Sequence, residues 1–390
     1  MPVINRIADF HADMTAWRRD FHQHPELGLQ EHRTSARVAA LLREFGVDEV
    51  HTGVAQTGIV GVIRGQTGGD AIGMRADMDA LPIMEDTGKD YASRNPGVMH
   101  ACGHDGHTTM LLGAARYLAE TRNFGGTVYV IFQPAEENAG GGRIMVEEGL
   151  FDRFPMKQVY GMHNWPLDPA GTFRWRDGPV MAAVANLDLT ITGKGAHGAQ
   201  PHLGTDPIVV AAAIIQSFQS IVARTIHPIL GGVVTIGSIQ GGHTHNVIPE
   251  TVRMLGTARW FESAVGDTLE RGVLRLARSI AEGYGATCDA RFERLYPATV
   301  NDPAAMTLAR RAAVAVAGEA RVQHMDMPTM AGEDFSFMLN AKQGAYIMLG
   351  AGRGPDDAGV HHPQYDFNDD ILPTGASYWA TLAEQLLPRQ

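Results

Sequence analysis

Five short stretches concentrate the side chains that can do chemistry. "GVMHACGHDGHTTMLLGAARYL" at 97–118 places His100, Cys102, His104, Asp105 and His107 close together, and an amphipathic helical pattern follows. "AIGM" runs into Arg75-Ala76-Asp77, "VYVIF" into Gln133-Pro134-Ala135-Glu136-Glu137, and "VYGM" into His163-Asn164-Trp165, while "GVHHPQYDF" supplies His361 and His362. Thiol, imidazole and carboxylate are metal donors. A catalytic pair of ions needs several of them, an anionic bridge, an open position for water and a general base alongside. The one-residue gap from Cys102 to His104 can point both side chains the same way. If the strand before Glu136-Glu137 continues through them, the two carboxylates face opposite ways, so that one can bind metal while the other stands off as base.

Taken singly, these residues have plainer readings. Any one of the 17 histidines can be a surface or hydrogen-bonded residue, and Glu147-Glu148 reads as a solvated helical face. With only two cysteines, Cys102 and Cys288, a disulfide framework is excluded. Cys102 is then a buried small side chain, a nucleophile or a metal ligand, and a metal beside it would itself favour the thiolate. The clusters together, each at a strand end or on a loop, carry the metal reading.

The elements that must position them alternate. Residues 5–45 read as helix broken at "HPELGL", β-branched runs follow in "TGIVGVIRG" and "DAIGMRADMDALPI", and a helix spans about 107–121. Two more buried strands and the C-terminal segment extend the pattern, predicting a larger α/β domain over 1–182 and 294–390 with its metal site at the carboxyl ends of strands. From 183 to 293 the order becomes β-α-β-β-α-β, which predicts an inserted two-layer α+β, ferredoxin-like domain. The triple glycine at 140–142 lacks the rest of a phosphate-loop pattern and reads as a turn into the helix "RIMVEEGLF".

Composition narrows the partners. A net charge of −11, with no block of Lys and Arg, argues against nucleic-acid binding and favours a small-molecule partner. The N-terminal stretch lacks the apolar core of a signal peptide, and no window reads as a bilayer span, so the expectation is a cytoplasmic protein, without membrane contact, if the source is bacterial.

The motifs "DFHQHPELG", "MRADMDALPI", "GVMHACGHDGHTTMLLGAA", "FQPAEE", "GMHNWP", "GKGAHGAQPHLGTDPI", "HNVIPETVRMLGTAR", "AGEDFSFM" and "HHPQYDFND" run in order along nearly the whole chain. In them the sequence resembles the M20 metallopeptidase family, in particular its amidohydrolase branch of N-acyl-amino-acid deacylases, hippurate hydrolases and auxin-conjugate hydrolases. The resemblance implies two divalent metal ions, Zn or Mn, with Co or Ni as substitutes. Cys102 matches the bridging ligand, and His104, Glu137, His163 and His361 match the remaining ligands, with His362 the spare. Glu136 matches the general base. Asp77 falls where the wider family has H-x-D, but Arg75 replaces the histidine, which places Asp77 behind the ligands and not among them. His197 is similar to the histidine that stabilises the oxyanion, often across a dimer, and Asn246 and Arg259 resemble residues that hold the substrate's carboxylate.

These features predict a homodimeric or larger dimetal amidohydrolase that cleaves N-acyl amino acids to a carboxylic acid and a free amino acid. The alternatives are a dipeptidase or carboxypeptidase using the same metals, a metal-binding protein without activity, and a cysteine hydrolase with Cys102 as nucleophile. The filled Glu136 position argues against the inactive protein.

Overall fold

Apolar runs without polar alternation need cover on both faces, and the larger of two units builds them into one sheet between helices. The computed structural model describes residues 3–389. In chain order the elements are α1 (Asn5–Ala8), α2 (His11–Gln23), α3 (His32–Glu44), β1 (Glu49–Val54), β2 (Gly58–Arg64), β3 (Ala71–Asp77), α4 (His104–Thr121), β4 (Thr127–Gln133), α5 (Gly141–Glu147), α6 (Leu150–Arg153), β5 (Gln158–Pro169), β6 (Phe173–Trp175) and β7 (Gly178–Met181). The inserted part continues with β8 (Ala183–Thr192), β9 (Ala196–His197), α7 (Pro207–Thr225), β10 (Gly232–Gln240), β11 (Val247–Ile248), β12 (Thr251–Trp260), α8 (Ser263–Gly283) and β13 (Thr287–Tyr296). The chain closes with β14 (Thr299–Asn301), α9 (Pro303–Ala317), β15 (Val322–His324), α10 (Ser336–Ala341), β16 (Gly344–Gly352) and α11 (Leu372–Leu386).

The larger unit comprises residues up to Val180, Val300–Pro328 and those from Asp334 onward; the smaller is Met181–Thr299 with Thr329–Glu333. These limits differ from the expected 182/183 and 293/294. β13 goes on pairing with β8 as far as Tyr296, and the Ala182 N–H donates to the Ala331 carbonyl, which ties 329–333 to the start of the smaller unit.

The large sheet has the order β1-β2-β4-β3-β5-β16-β6-β15. Its central strands β4, β3, β5 and β16 are parallel, and every residue of β4 but the first is buried. β3 has β4 on one side and β5 on the other, so the strand order reverses there, and a crevice opens beyond the carboxyl ends at such a point. α4 packs on this sheet with α2 and α11, around Met14, Leu111, Leu112, Val130 and Trp379.

Three local expectations change. His163 lies inside β5, not at its end: β5 leaves β3 at Gly161, opposite Arg75, and runs on along β16 with His163 opposite Met348. The strand does not continue through Glu136-Glu137, because β4 stops at Gln133 and Ala135 takes the left-handed φ of 52° after a proline. The helix expected from about 107 begins at His104, so that residue opens α4 and only Cys102 stays on the loop.

The smaller unit is a sheet of order β10-β12-β8-β13, antiparallel throughout, with α7 and α8 packed on it. Leu187, Leu189, Ile214, Phe218, Leu269 and Val273 fill the layer between sheet and helices. Asp206 caps α7 by accepting the Ile208 N–H, and Pro207 occupies the first turn. Contrary to the sequence reading, α7 is long and apolar enough to cross a membrane by length and composition. Its Val210, Ile214, Phe218 and Ile221 are buried in the core of this unit.

Candidate metal centre

The loop before α4 brings Cys102 into the crevice beside β3. Gly103, with φ 91°, makes the turn from that loop into the helix. A Cβ there would lie 2.5 Å from Asn164 Nδ2 and 2.6 Å from Tyr365 Oη, so only glycine fits. Around Cys102 the structure gathers two sets of three possible ligand atoms, each set within 4.8 Å: Cys102 with His104 and His163, and Cys102 with Glu137 and His361. The thiol belongs to both. His104, Glu136 and Glu137 form another such set. His362 joins no set among the described residues; its Nδ1 accepts the Gln364 N–H at 3.1 Å.

Hydrogen bonds at the far nitrogen of each imidazole decide what the near one can do. His104 Nδ1 donates toward the Asp79 carbonyl at 3.0 Å and Asp79 Oδ1 at 3.2 Å. Its Nε2 is buried and without a hydrogen-bond partner. His163 Nδ1 donates to the Asn164 carbonyl at 2.6 Å, which leaves its Nε2 facing Cys102 Sγ at 3.4 Å. Glu137 Oε1 is a second buried atom without a hydrogen-bond partner, 3.3 Å from His361 Nε2. The Glu137 backbone N–H is held by Asp79 Oδ2 at 2.9 Å, so Asp79 steadies two of the groups at once. The His361 N–H donates to the Ala101 carbonyl at 2.7 Å, which fastens that loop beside Cys102.

Buried polar atoms are nearly always satisfied, so an imidazole nitrogen without a hydrogen-bond partner beside a thiol and a carboxylate suits a cation. The charges on the two rings differ. Burial opposes a charge on His104, but Asp77 and Cys102 outweigh it and hold the ring well above its ordinary value, so a cation there would displace a proton. Burial and the His107 ring hold His163 well below its ordinary value, in the neutral form that binds metal. Burial and Glu137 push the Cys102 thiol up. A nucleophilic cysteine needs the opposite shift, so this thiol ionises readily only with a cation beside it.

Asp77 is fully buried and touches none of the five matched ligands at hydrogen-bond distance. Its Oδ1 meets His107 Nδ1 at 2.6 Å, its Oδ2 accepts from Arg75 at 2.6 Å, and His104 Nε2 stands off at 3.9 Å. Burial works against its charge, and His104, His107 and Arg75 override this to hold the carboxyl well below the usual range. His100 is buried with neither ring nitrogen hydrogen-bonded, and burial pulls it down to about 4.

The smaller unit carries the other three residues matched by the sequence. His197 is exposed on β9, opposite Val247 of β11, and the Gly198 N–H donates to the Asn246 carbonyl at 2.7 Å, so His197 and Asn246 are neighbours. Half-buried Arg259, on β12, donates to Thr257 Oγ1 and, at 3.2 Å, to the Ala258 carbonyl. Among the described residues no carboxylate pairs with it.

Sequence reasoning gave no role to Asp79, His107, Asn164 or Tyr365. His107 lies three residues after His104 and so on the same helical face, a signal that could have found it. Asp79 shares the "RADMDALP" stretch with Asp77, but nothing in the sequence says which carboxylate turns to which histidine.

Residues 73–385 match the family model for peptidase family M20/M25/M40. The chain is 38% identical over 387 residues to the hippurate hydrolase of Campylobacter jejuni, covering 99% of this chain and 100% of that one. It is 38% identical over 372 residues to the N-acetyl-L-cysteine deacetylase of Bacillus subtilis, covering 95% and 87%. Among solved structures it resembles the YXEP protein of Bacillus subtilis, described as a dinuclear metal binding peptidase from the M20 family, with a TM-score of 0.83 and 34% identity over 97% of this chain and 99% of that one.

Proposed function

Because the chain belongs to peptidase family M20/M25/M40, a family with dinuclear metal-binding members, we propose that it hydrolyses the amide bond of N-acyl amino acids with the help of two cations that residues around Cys102 would hold. The observation that carries this reading is the thiol shared between two ligand sets with Glu136 close by. His104 and His163 would complete one site, Glu137 and His361 the other. A thiolate with imidazoles and carboxylates suits Zn or Mn, and Co or Ni would fit the same donors. When bound, such cations polarise the amide carbonyl and acidify water.

The chain's own residues supply the rest. Glu136, 7% exposed, takes a proton from the attacking water and delivers it to the leaving amine nitrogen. His197 donates to the oxygen that gains charge as the amide carbon becomes tetrahedral. Arg259 takes the substrate carboxylate, for which its unpaired guanidinium is suited, and Asn246 helps hold it. Asp79 holds the Nδ1 proton of His104 so that its Nε2 faces inward, and Asp77 fixes the His107 ring beside it. The smaller unit also supplies a homodimer contact: β10 is an edge strand, and Ile239 on it and Ile208 and Val209 on α7 are exposed.

The test is hydrolysis of hippurate, N-acetyl-Met and a dipeptide by enzyme stripped with chelator and reloaded with Zn, Mn or Co, alongside Glu136→Ala. Release of free amino acid from the acyl substrates, restored by metal and lost in the variant, is the expected result. Preference for the dipeptide would favour a peptidase. Activity surviving complete metal removal would overturn the reading.

A further inference from the structure

His104 and His107 sit one above the other on the first turn of α4, yet their rings do different work. Both nitrogens of His107 are already committed. Nδ1 lies 2.6 Å from Asp77 Oδ1, and Nε2 lies 2.9 Å from the Asn164 backbone N–H. That N–H can only donate, so Nε2 must accept and the ring proton must sit on Nδ1, against Asp77. Asp77 cannot swing away, because Arg75 holds its other oxygen at 2.6 Å and is itself fixed by Gln133 at 2.8 Å and Asp334 at 3.0 Å.

Asn164 is where this line of bonds meets the ligands. Its carbonyl accepts from His163 Nδ1 at 2.6 Å, its Nδ2 donates to the Cys102 carbonyl at 2.7 Å, and its Oδ1 accepts the Tyr365 hydroxyl at 2.7 Å. The His107 ring also packs edge-on against His163, with centroids 4.5 Å apart. Asp77, His107 and Asn164 are all at most 2% exposed, so water is poorly placed to substitute for any of these partners.

We propose that His107 is a positioning residue for the cation site, carrying the fixed orientation of Asp77 through Asn164 to His163 and the Cys102 loop. This rests on the two-cation reading of Cys102. His107 ligates nothing; it sets where the His163 ring and the Cys102 backbone stand before a cation arrives.

Two substitutions separate the two ends of the ring. His107→Asn can still donate to Asp77 from the Nδ1 position but leaves the Asn164 N–H without an acceptor. His107→Gln can accept that N–H at the Nε2 position but leaves Asp77 to Arg75. Metal-free wild type and variants are titrated with Co2+ against a competing chelator, following the thiolate-to-cobalt absorption, and the metal-free unfolding midpoint of each is measured. The expected result is cobalt binding about 10- to 100-fold weaker in the Asn variant, the range seen when a ligand's hydrogen-bond partner is lost, and within about threefold of wild type in the Gln variant. Wild-type affinity in the Asn variant, or equal losses in both, overturns the inference. A merely structural role would lower both unfolding midpoints and leave both affinities alike. Should both variants fail to fold, Tyr365→Phe removes the bond to Asn164 Oδ1 and loosens its carboxamide; weaker cobalt binding is then expected, and unchanged binding overturns the proposal. Wild-type protein that takes up no Co2+ would overturn the cation reading and this inference together.

Discussion

Replacing Glu31 with Gln is expected to stabilise the protein by an amount that grows with pH. Glu31 is fully buried, accepts the Thr57 hydroxyl at 2.6 Å, and accepts the backbone N–H of Ala135 at 2.8 Å, just before Glu136. Burial pushes its carboxyl up and Asp79 adds to this; the bonds from Thr57 and Ala135 pull the other way, and the result is about 7 against an ordinary 4.5. Between those values the folded protein keeps a proton that the unfolded chain has released. Stability from this group is therefore fullest below pH 4.5 and is lost as pH rises through 7. At about 1.4 kcal/mol per pH unit the loss reaches about 3 kcal/mol by pH 8, of which about 2 develop above pH 5. Gln carries no charge and fits the same partners: its oxygen takes the Ala135 N–H while its amide nitrogen donates to Thr57 Oγ1, a hydroxyl that can accept as well as donate. Urea unfolding of wild type and Glu31→Gln at pH 5, 6.5 and 8 measures the difference. A difference that stays constant across this range would refute the reasoning, because Glu31 would then titrate as an ordinary carboxyl. A wild type more stable at pH 8 would refute it too.

Gly103→Ala puts a Cβ 2.5 Å from Asn164 Nδ2 on a backbone at φ 91°. The left-handed conformation costs about 1 kcal/mol and each bond lost at Asn164 about 1 more. Thermal unfolding and cobalt uptake check this, and an unchanged melting temperature with full uptake would remove Gly103 from its role. Glu136→Gln keeps the shape of the base without its proton affinity. Its kcat is expected to fall by about 10²–10⁴ with metal content unchanged by elemental analysis, and a variant retaining a tenth of wild-type kcat would rule Glu136 out as base.

What the sequence revealed and what it withheld divide along physical lines. The parallel strands around β3 were readable because continuous apolar runs ending in Asp77, Gln133 and His163 fit nothing but a sheet buried on both faces. The β-α-β-β-α-β insert was readable from its change of period. Boundaries were less so. β5 continues past His163 because β16 is there to pair with it, and β16 lies some 180 residues further on, where no local pattern points to it. The turn at Ala135 was hidden for a similar reason: alanine has no preference for φ 52°, and it is held there by Glu31, which comes from another part of the chain.

The same distinction governs the histidines. Composition showed that imidazoles crowd the start of α4 but could not sort His104 from His107, since both lie on one face. The sorting is done at Nε2, by the backbone N–H of Asn164 on β5. Asp79 takes the Nδ1 proton of His104, leaving its Nε2 bare, whereas His107 has Asp77 at one nitrogen and the Asn164 N–H at the other. A histidine with both nitrogens occupied has no lone pair to give a cation. Both rings carry their Nδ1 proton against a carboxylate, so ligand and support are separated by what meets Nε2: the Asn164 N–H occupies that of His107, and among the described residues nothing occupies that of His104.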